Sequence, residues 1–170
     1  YVGHDQAACK TSPLGSVYLS ATTISIIDLA TNKVTKEIDL DTAAGANNAR
    51  ELIWDNAKNQ VYAATYNGKA VAIVDTVTQA YKKKVSSGDG CLVGLALSSA
   101  AAATQTLIAG GIKVTNTVCN ADNLVIINPS SGVQLPGSPW VSTNFSKPGY
   151  VVISTNDKYA FVSNYGSTKI

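Results

Sequence analysis

ISIIDLATNKV, residues 24–34, reads as a β-strand closed by Asp28, a tight turn over 30–33, and the start of a second strand at Lys33. Nearly the same text returns as VAIVDTVTQAY (71–81) and LVIINPSSGVQ (124–134), so that Asp28 recurs as Asp75 and then as Asn128. Self-similarity at this period decides the architecture before any local reading does.

Upstream of each copy lies a second β-type segment: VYLSA from Val17, VYAATY from Val61, TLIAG from Thr106, and a further one, AFVSNY, from Ala160. Upstream of these lies another, ELIWD from Glu51, CLVGLALS from Cys91 and YVVIS from Tyr150. Downstream comes a last one, KVTKEIDL from Lys33, AYKKKV from Ala80 and GVQL from Gly132. Each unit thus holds four short strands in roughly 45 to 55 residues, the spacing of propeller blades. The sequence predicts an all-β propeller of antiparallel four-stranded meanders. Three to four blades' worth are present: an irregular segment 1–15, a partial blade 16–48, blades 49–90 and 91–147, and a truncated blade 148–170.

The first two strands of each unit are almost continuously apolar, as strands covered on both faces by neighbouring blades should be, while the last alternates as a rim strand does. Trp54, within ELIWD, is accordingly expected in the core. Lys82–Lys84, with Lys33, Lys36 and Glu37, reads as a solvated outer edge protected by charge. The repeated Asp has a geometric explanation. A carboxylate at a strand end accepts from the N–H groups of the turn that follows, and the amide of Asn128 serves equally, which a proton-transfer role would not allow.

VYLSATTISIIDLATNKV and AFVSNYGSTKI resemble the repeat of the YVTN family of β-propellers, whose unit runs (V/Y)-Y-V-T-N, a spacer, V-x-V-I-D, then T-x-x-x-V. The resemblance covers residues 16–170, with a degenerate third copy and a fourth that stops early. It implies a ring of about seven blades, the family's usual total. It implies little about activity, since such propellers include archaeal surface-layer proteins, lactonase-like enzymes and subunits of cofactor enzymes. A three-blade arc would expose apolar flanks. The expectation is therefore a fragment of a longer propeller, or a ring completed by another chain or copy.

The longer connections, 41–49, 86–90, 111–122 and 136–149, join strand two to three or strand four to the next blade, and so emerge on one face. A ligand is expected there or at the channel mouth. Arg50 and Glu51 begin an innermost strand, as Tyr150 does in the last blade. Together they would suit a carbonyl or sugar ligand, although an ion pair at the rim and a packed tyrosine would explain them as well. Trp140, in a loop of Pro, Gly and Ser, is a candidate stacking platform for sugar. Cys91 and Cys119 should project from this same face, and a disulfide between them is the preferred pairing, with Cys9 left over for a partner elsewhere.

A net charge of +2 with 14% charged residues gives no field for nucleic acid or anionic lipid, and no apolar run is long enough for a membrane helix. The chain begins at Tyr1 and lacks Met, as removal of a secretion signal or simple trimming would leave it. Three Cys and one glycosylation sequon at Asn144 favour a secreted or cell-surface protein. The Cys spacing, with His4 the only histidine, gives no metal site. There is no nucleophile elbow, phosphate loop or dinucleotide fingerprint, and no cofactor is expected. Two functions follow: a binding scaffold for a protein or glycan through the loop-rich face, or a lactonase-like hydrolase with its site at the channel.

Overall fold

The computed structural model describes residues 2–3, 23–40, 48–99, 104–113, 119 and 121–166. His4, Cys9, the expected strand at 17–21 and much of the loops 41–49 and 111–122 lie outside them. Every strand pairing is antiparallel, and there is no helix among the described residues.

Among the described residues thirteen strands form four sheets of a partial β-propeller. Blade one holds β1 (Val2–Gly3), β2 (Thr23–Asp28) and β3 (Lys33–Asp39). Blade two runs through β4 (Ala49–Asp55), β5 (Gln60–Thr65), β6 (Ala70–Asp75) and β7 (Ala80–Ser86) in chain order. Blade three does the same with β8 (Cys91–Leu97), β9 (Leu107–Ile112), β10 (Asn123–Asn128) and β11 (Val133–Gln134). Blade four consists of β12 (Pro148–Ile153) and β13 (Ala160–Asn164). In the stretch read as irregular, β1 pairs with β2 at Ile24 and Ser25.

The hairpins after Asp28, Asp55, Asp75 and Asn128 are built by one device. Oδ1 of Asp28, Asp55, Asp75 and Asn128 each accepts from the N–H groups two and three residues on, and the turn closes through a left-handed residue, Asn32, Asn59, Gln79 or Gly132. An Asx cap followed by an αL position is a tight turn that any amide or carboxylate can start, so Asn128 replaces Asp without loss.

The core lies between sheets, in three separate layers. Ile24, Ile26 and Ile38 of blade one meet Val61, Ala63, Ala72 and Val74 of blade two. The opposite face of blade two, with Tyr62, Val71, Ile73 and Val85, meets Leu92, Leu95, Leu107, Val125 and Ile127 of blade three. Ile108, Leu124 and Ile126 then meet Val151, with Ile153 and Val162 packed beside them. Alternate residues of one strand therefore serve different interfaces, which is why β5 and β6 are apolar between their polar ends, Gln60 and Thr65 in β5 and Asp75 in β6, and buried along their length apart from Asp75.

The structure corrects the expectation for the innermost strand of blade two. Along β4 the five central residues are exposed or only part-buried, and Trp54 is 62% exposed. β8, the innermost strand of blade three, is mostly buried as expected, so the correction concerns β4; in blade two the second and third strands, covered by blades on both faces, are the buried ones.

Candidate functional site

The innermost strands share an irregularity that the sequence does not announce. Pairing shifts by one residue between Ala49 and Glu51 in β4, between Leu92 and Gly94 in β8, and between Pro148 and Val151 in β12. A bulge re-aims the side chains at one end of a strand, and here it does so in each blade at the loop-bearing end. Counting back along the registers from Leu52–Ala63, Leu95–Ala109 and Val151–Val162 puts Glu51, Gly94 and Tyr150 at one level of three successive strands. Arg50 and Gly149 share the level before it, and Tyr66 and Tyr165 follow the second strands of their blades at matching places.

Gly94 is what allows Glu51 and Tyr150 to flank a common space. A Cβ at Gly94 would stand 2.7 Å from the Gly149 carbonyl and 2.8 Å from the Tyr150 Cα, so only glycine lets β12 lie this close to β8.

Glu51 reaches across to blade three, where its Oε2 accepts from the Leu95 N–H at 2.6 Å. Partial burial raises its pKa above the ordinary carboxylate value, while the Leu95 bond works the other way. Arg50 places its guanidinium 4.9 Å from the centre of the Tyr66 ring, a cation–π contact. Tyr150 meets Tyr165 edge to face, the ring centres 6.1 Å apart at 62°, and both rings are more than half exposed. The Tyr165 phenol is pushed up by burial first, then by its bond to Tyr150 and by the negative charge of Tyr150 and Glu51. The Glu51 charge thus acts from blade two on Tyr165 of blade four.

Of the four candidates, the structure gathers Arg50, Glu51 and Tyr150 at the inner strand ends and leaves Trp140 elsewhere. Trp140 exchanges two backbone bonds with Leu124 (2.9 and 2.7 Å), prolonging the outer edge of blade three, and its exposed indole lines a groove on the flank of that blade. Tyr66 and Tyr165 were missed. Their signal lay in the repeat, since VYAATY and AFVSNY end on tyrosine at the same place.

Cys91 and Cys119 are joined as a disulfide, their Cα atoms 5.3 Å apart and both side chains buried. Beside it, Asn123 donates to the Ser87 carbonyl at 3.0 Å. Asn144 is exposed in a turn, its N–H bonded to Ser142 Oγ at 3.1 Å. Among the described residues no cluster of His, Cys, Asp and Glu has the make-up of a metal site.

No family model matches the chain, and no curated protein sequence matches it. Among solved structures it is similar to the hydrazine synthase of Kuenenia stuttgartiensis, with a TM-score of 0.70 and 16% identity over 88% of this chain and 39% of that one. It is also similar to a chain of the complex of KlAtg21 with the coiled-coil of AgAtg16, with a TM-score of 0.59 and 8% identity over 88% of this chain and 46% of that one. The chain spans less than half the length of these structures. At such identities the likeness is one of fold.

Proposed function

We propose that this chain is part of a secreted or surface-displayed propeller, of the YVTN kind, that binds a protein or glycan through its loop-bearing face. The observation that carries the reading is the clustering of Arg50–Tyr66, Glu51 and Tyr150–Tyr165 at the inner strand ends. Exposed tyrosines beside one guanidinium and one carboxylate supply stacking area and directional bonds without a nucleophile. In this reading Asn144 carries a glycan, and further propeller sequence completes the ring.

A lactonase-like reading draws on a different observation, the raised pKa of Glu51, the direction in which a carboxyl group is tuned for acid–base work. Its Oε2 is engaged by Leu95, leaving one oxygen for chemistry. Binding of immobilised oligosaccharides and of candidate surface proteins by the full chain tests the choice. The scaffold reading expects saturable binding that Tyr150→Ala and Tyr165→Ala weaken at least tenfold. Hydrolysis of a lactone that Glu51→Gln abolishes, in a protein that remains folded, would replace it.

A further inference from the structure

Tyr66 and Tyr165 occupy one place in the repeat. The Tyr66 N–H donates to the Asn48 carbonyl at 2.8 Å and the Tyr165 N–H to the Lys147 carbonyl at 3.0 Å. Counting from the pairs Leu52–Ala63 and Val151–Val162 makes Gly149 the counterpart of Arg50, and Tyr150 that of Glu51. In blade three the same count from Leu95–Ala109 gives Val93, Gly94 and Ile112, which supply neither ring nor charge.

Blade two shows what the place holds when ring and cation are both present. The Arg50 guanidinium lies 4.9 Å from the centre of the Tyr66 ring, drawn there by the negative face of the π-system. Blade four keeps the ring and lacks the cation. A Cβ at Gly149 would collide with the Tyr165 ring, so it is the missing side chain that lets this ring lean over the strand and meet Tyr150. The two rings, their centres 6.1 Å apart and their planes at 62°, form two walls of a corner, and both residues are more than half exposed.

The charge that reaches this corner from blade two is negative. Glu51 raises the Tyr165 phenol, and only one oxygen of its carboxylate is engaged, Oε2 by the Leu95 N–H. Arg50 turns its own charge to Tyr66. Aromatic walls beside an anionic oxygen hold guanidinium and alkylammonium groups. A sugar could stack on the same rings, but the repeat itself points to a cation, because blade two seats one at the equivalent position.

We propose that Tyr150, Tyr165 and Glu51 form a receptor site for an organic cation, the arginine side chain of a protein ligand, which does in blade four what Arg50 does in blade two. The inference rests on the loop-bearing face being a binding surface, and it names the chemistry that this face reads.

The full chain, with isotope-labelled tyrosine rings, is titrated with N-acetyl-arginine amide and followed by NMR, Tyr150→Phe and Tyr165→Phe assigning the two ring signals. We expect both rings to shift saturably with a millimolar Kd, weakened at least fivefold by Tyr165→Ala and by Glu51→Gln. N-acetyl-citrulline amide, of the same shape without the charge, should bind at least fivefold more weakly, a control that leaves the protein untouched. No saturable shift, or equal binding of the citrulline compound, would overturn the proposal. If oligosaccharides then still shifted the two rings, the face would remain a binding surface and its ligand would be a glycan. Saturable, charge-dependent binding of the arginine compound by a chain that captures neither glycans nor surface proteins would uphold the cation site and remove the scaffold reading instead.

Discussion

Phe161 stands in blade four where Tyr62 stands in blade two, yet Tyr62 is completely buried and Phe161 is 63% exposed. The match follows from register, since Tyr62 pairs with Ile53 and Phe161 with Val152 at the same level. Tyr62 is covered because blade three lies on it. Phe161 has no such neighbour among the described residues, and Val152 beside it is 64% exposed as well.

The pair should therefore respond oppositely to truncation. Removing Tyr62 empties a packed site and strands Asp55 and Gln60, which its hydroxyl contacts at 3.2 and 3.0 Å; Tyr62→Ala should cost about 3–5 kcal/mol. Phe161→Ala should change stability by roughly 0.5 kcal/mol or less. Urea unfolding of the two variants reads both numbers, and equal losses would place a cover over Phe161.

Glu51 makes a pH prediction. Its folded pKa is raised by burial, so its contribution is fully present below the ordinary carboxylate value near 4.5 and is lost as pH rises through the folded value. Glu51→Gln keeps an oxygen for the Leu95 N–H and cannot ionise. Its stability profile should lack that decline, and above the window it should equal or exceed the parent. A steeper decline in the variant would show that the ionised carboxylate is the stabilising form.

Asp75 behaves the other way. The Thr78 and Val77 N–H groups and the Thr78 hydroxyl hold its pKa below the ordinary value. Its contribution is present above that value and disappears as pH falls through the lowered one. Asp75→Asn should keep the turn, as Asn128 keeps its own, and remove the acid-side slope. Asp75→Ala should lose the turn at every pH, seen as faster amide exchange at Val77 and Thr78.

Gly90 and Gly111 make room for one side chain. A Cβ at either would run into Oδ1 of Asn123, which is buried, and whose amide nitrogen is held by Ser87. Gly111→Ala should therefore cost about 1–3 kcal/mol by overpacking. Loss of the neighbouring disulfide, which spans 28 residues, should cost about 2–4 kcal/mol. Thermal melts of Gly111→Ala and of Cys91→Ser check the two values, and an unchanged melting temperature in either would contradict this packing.

Much of the fold was legible because the turn chemistry repeats: Asp28, Asp75 and Asn128 mark the end of a third strand each time, and the cap they form is local. Burial was less legible for Trp54. ELIWD has the composition of a core strand, yet its side chains are exposed or part-buried where those of β8, at the same place in the next blade, are mostly buried, a difference between blades that composition does not carry. The site was half legible. Arg50, Glu51 and Tyr150 follow from counting strands, whereas their convergence needs the bulges and the missing side chain at Gly94, which are properties of packed backbones. Trp140 is exposed, as its Pro/Gly/Ser surroundings suggest, but the two backbone bonds that tie it to Leu124 are made across the fold and leave no mark in the sequence.

Native-state amide exchange tests the central claim most directly, that these sheets are consecutive wedges with their cores between them and an open flank on the last. The account predicts the strongest protection in β5 and β6, which lie between neighbouring strands and are covered by blades one and three on both faces, and the weakest in β13 at Ala160 and Val162. Protection of those two amides equal to that of β5 and β6 would contradict it, because the open flank would then be closed.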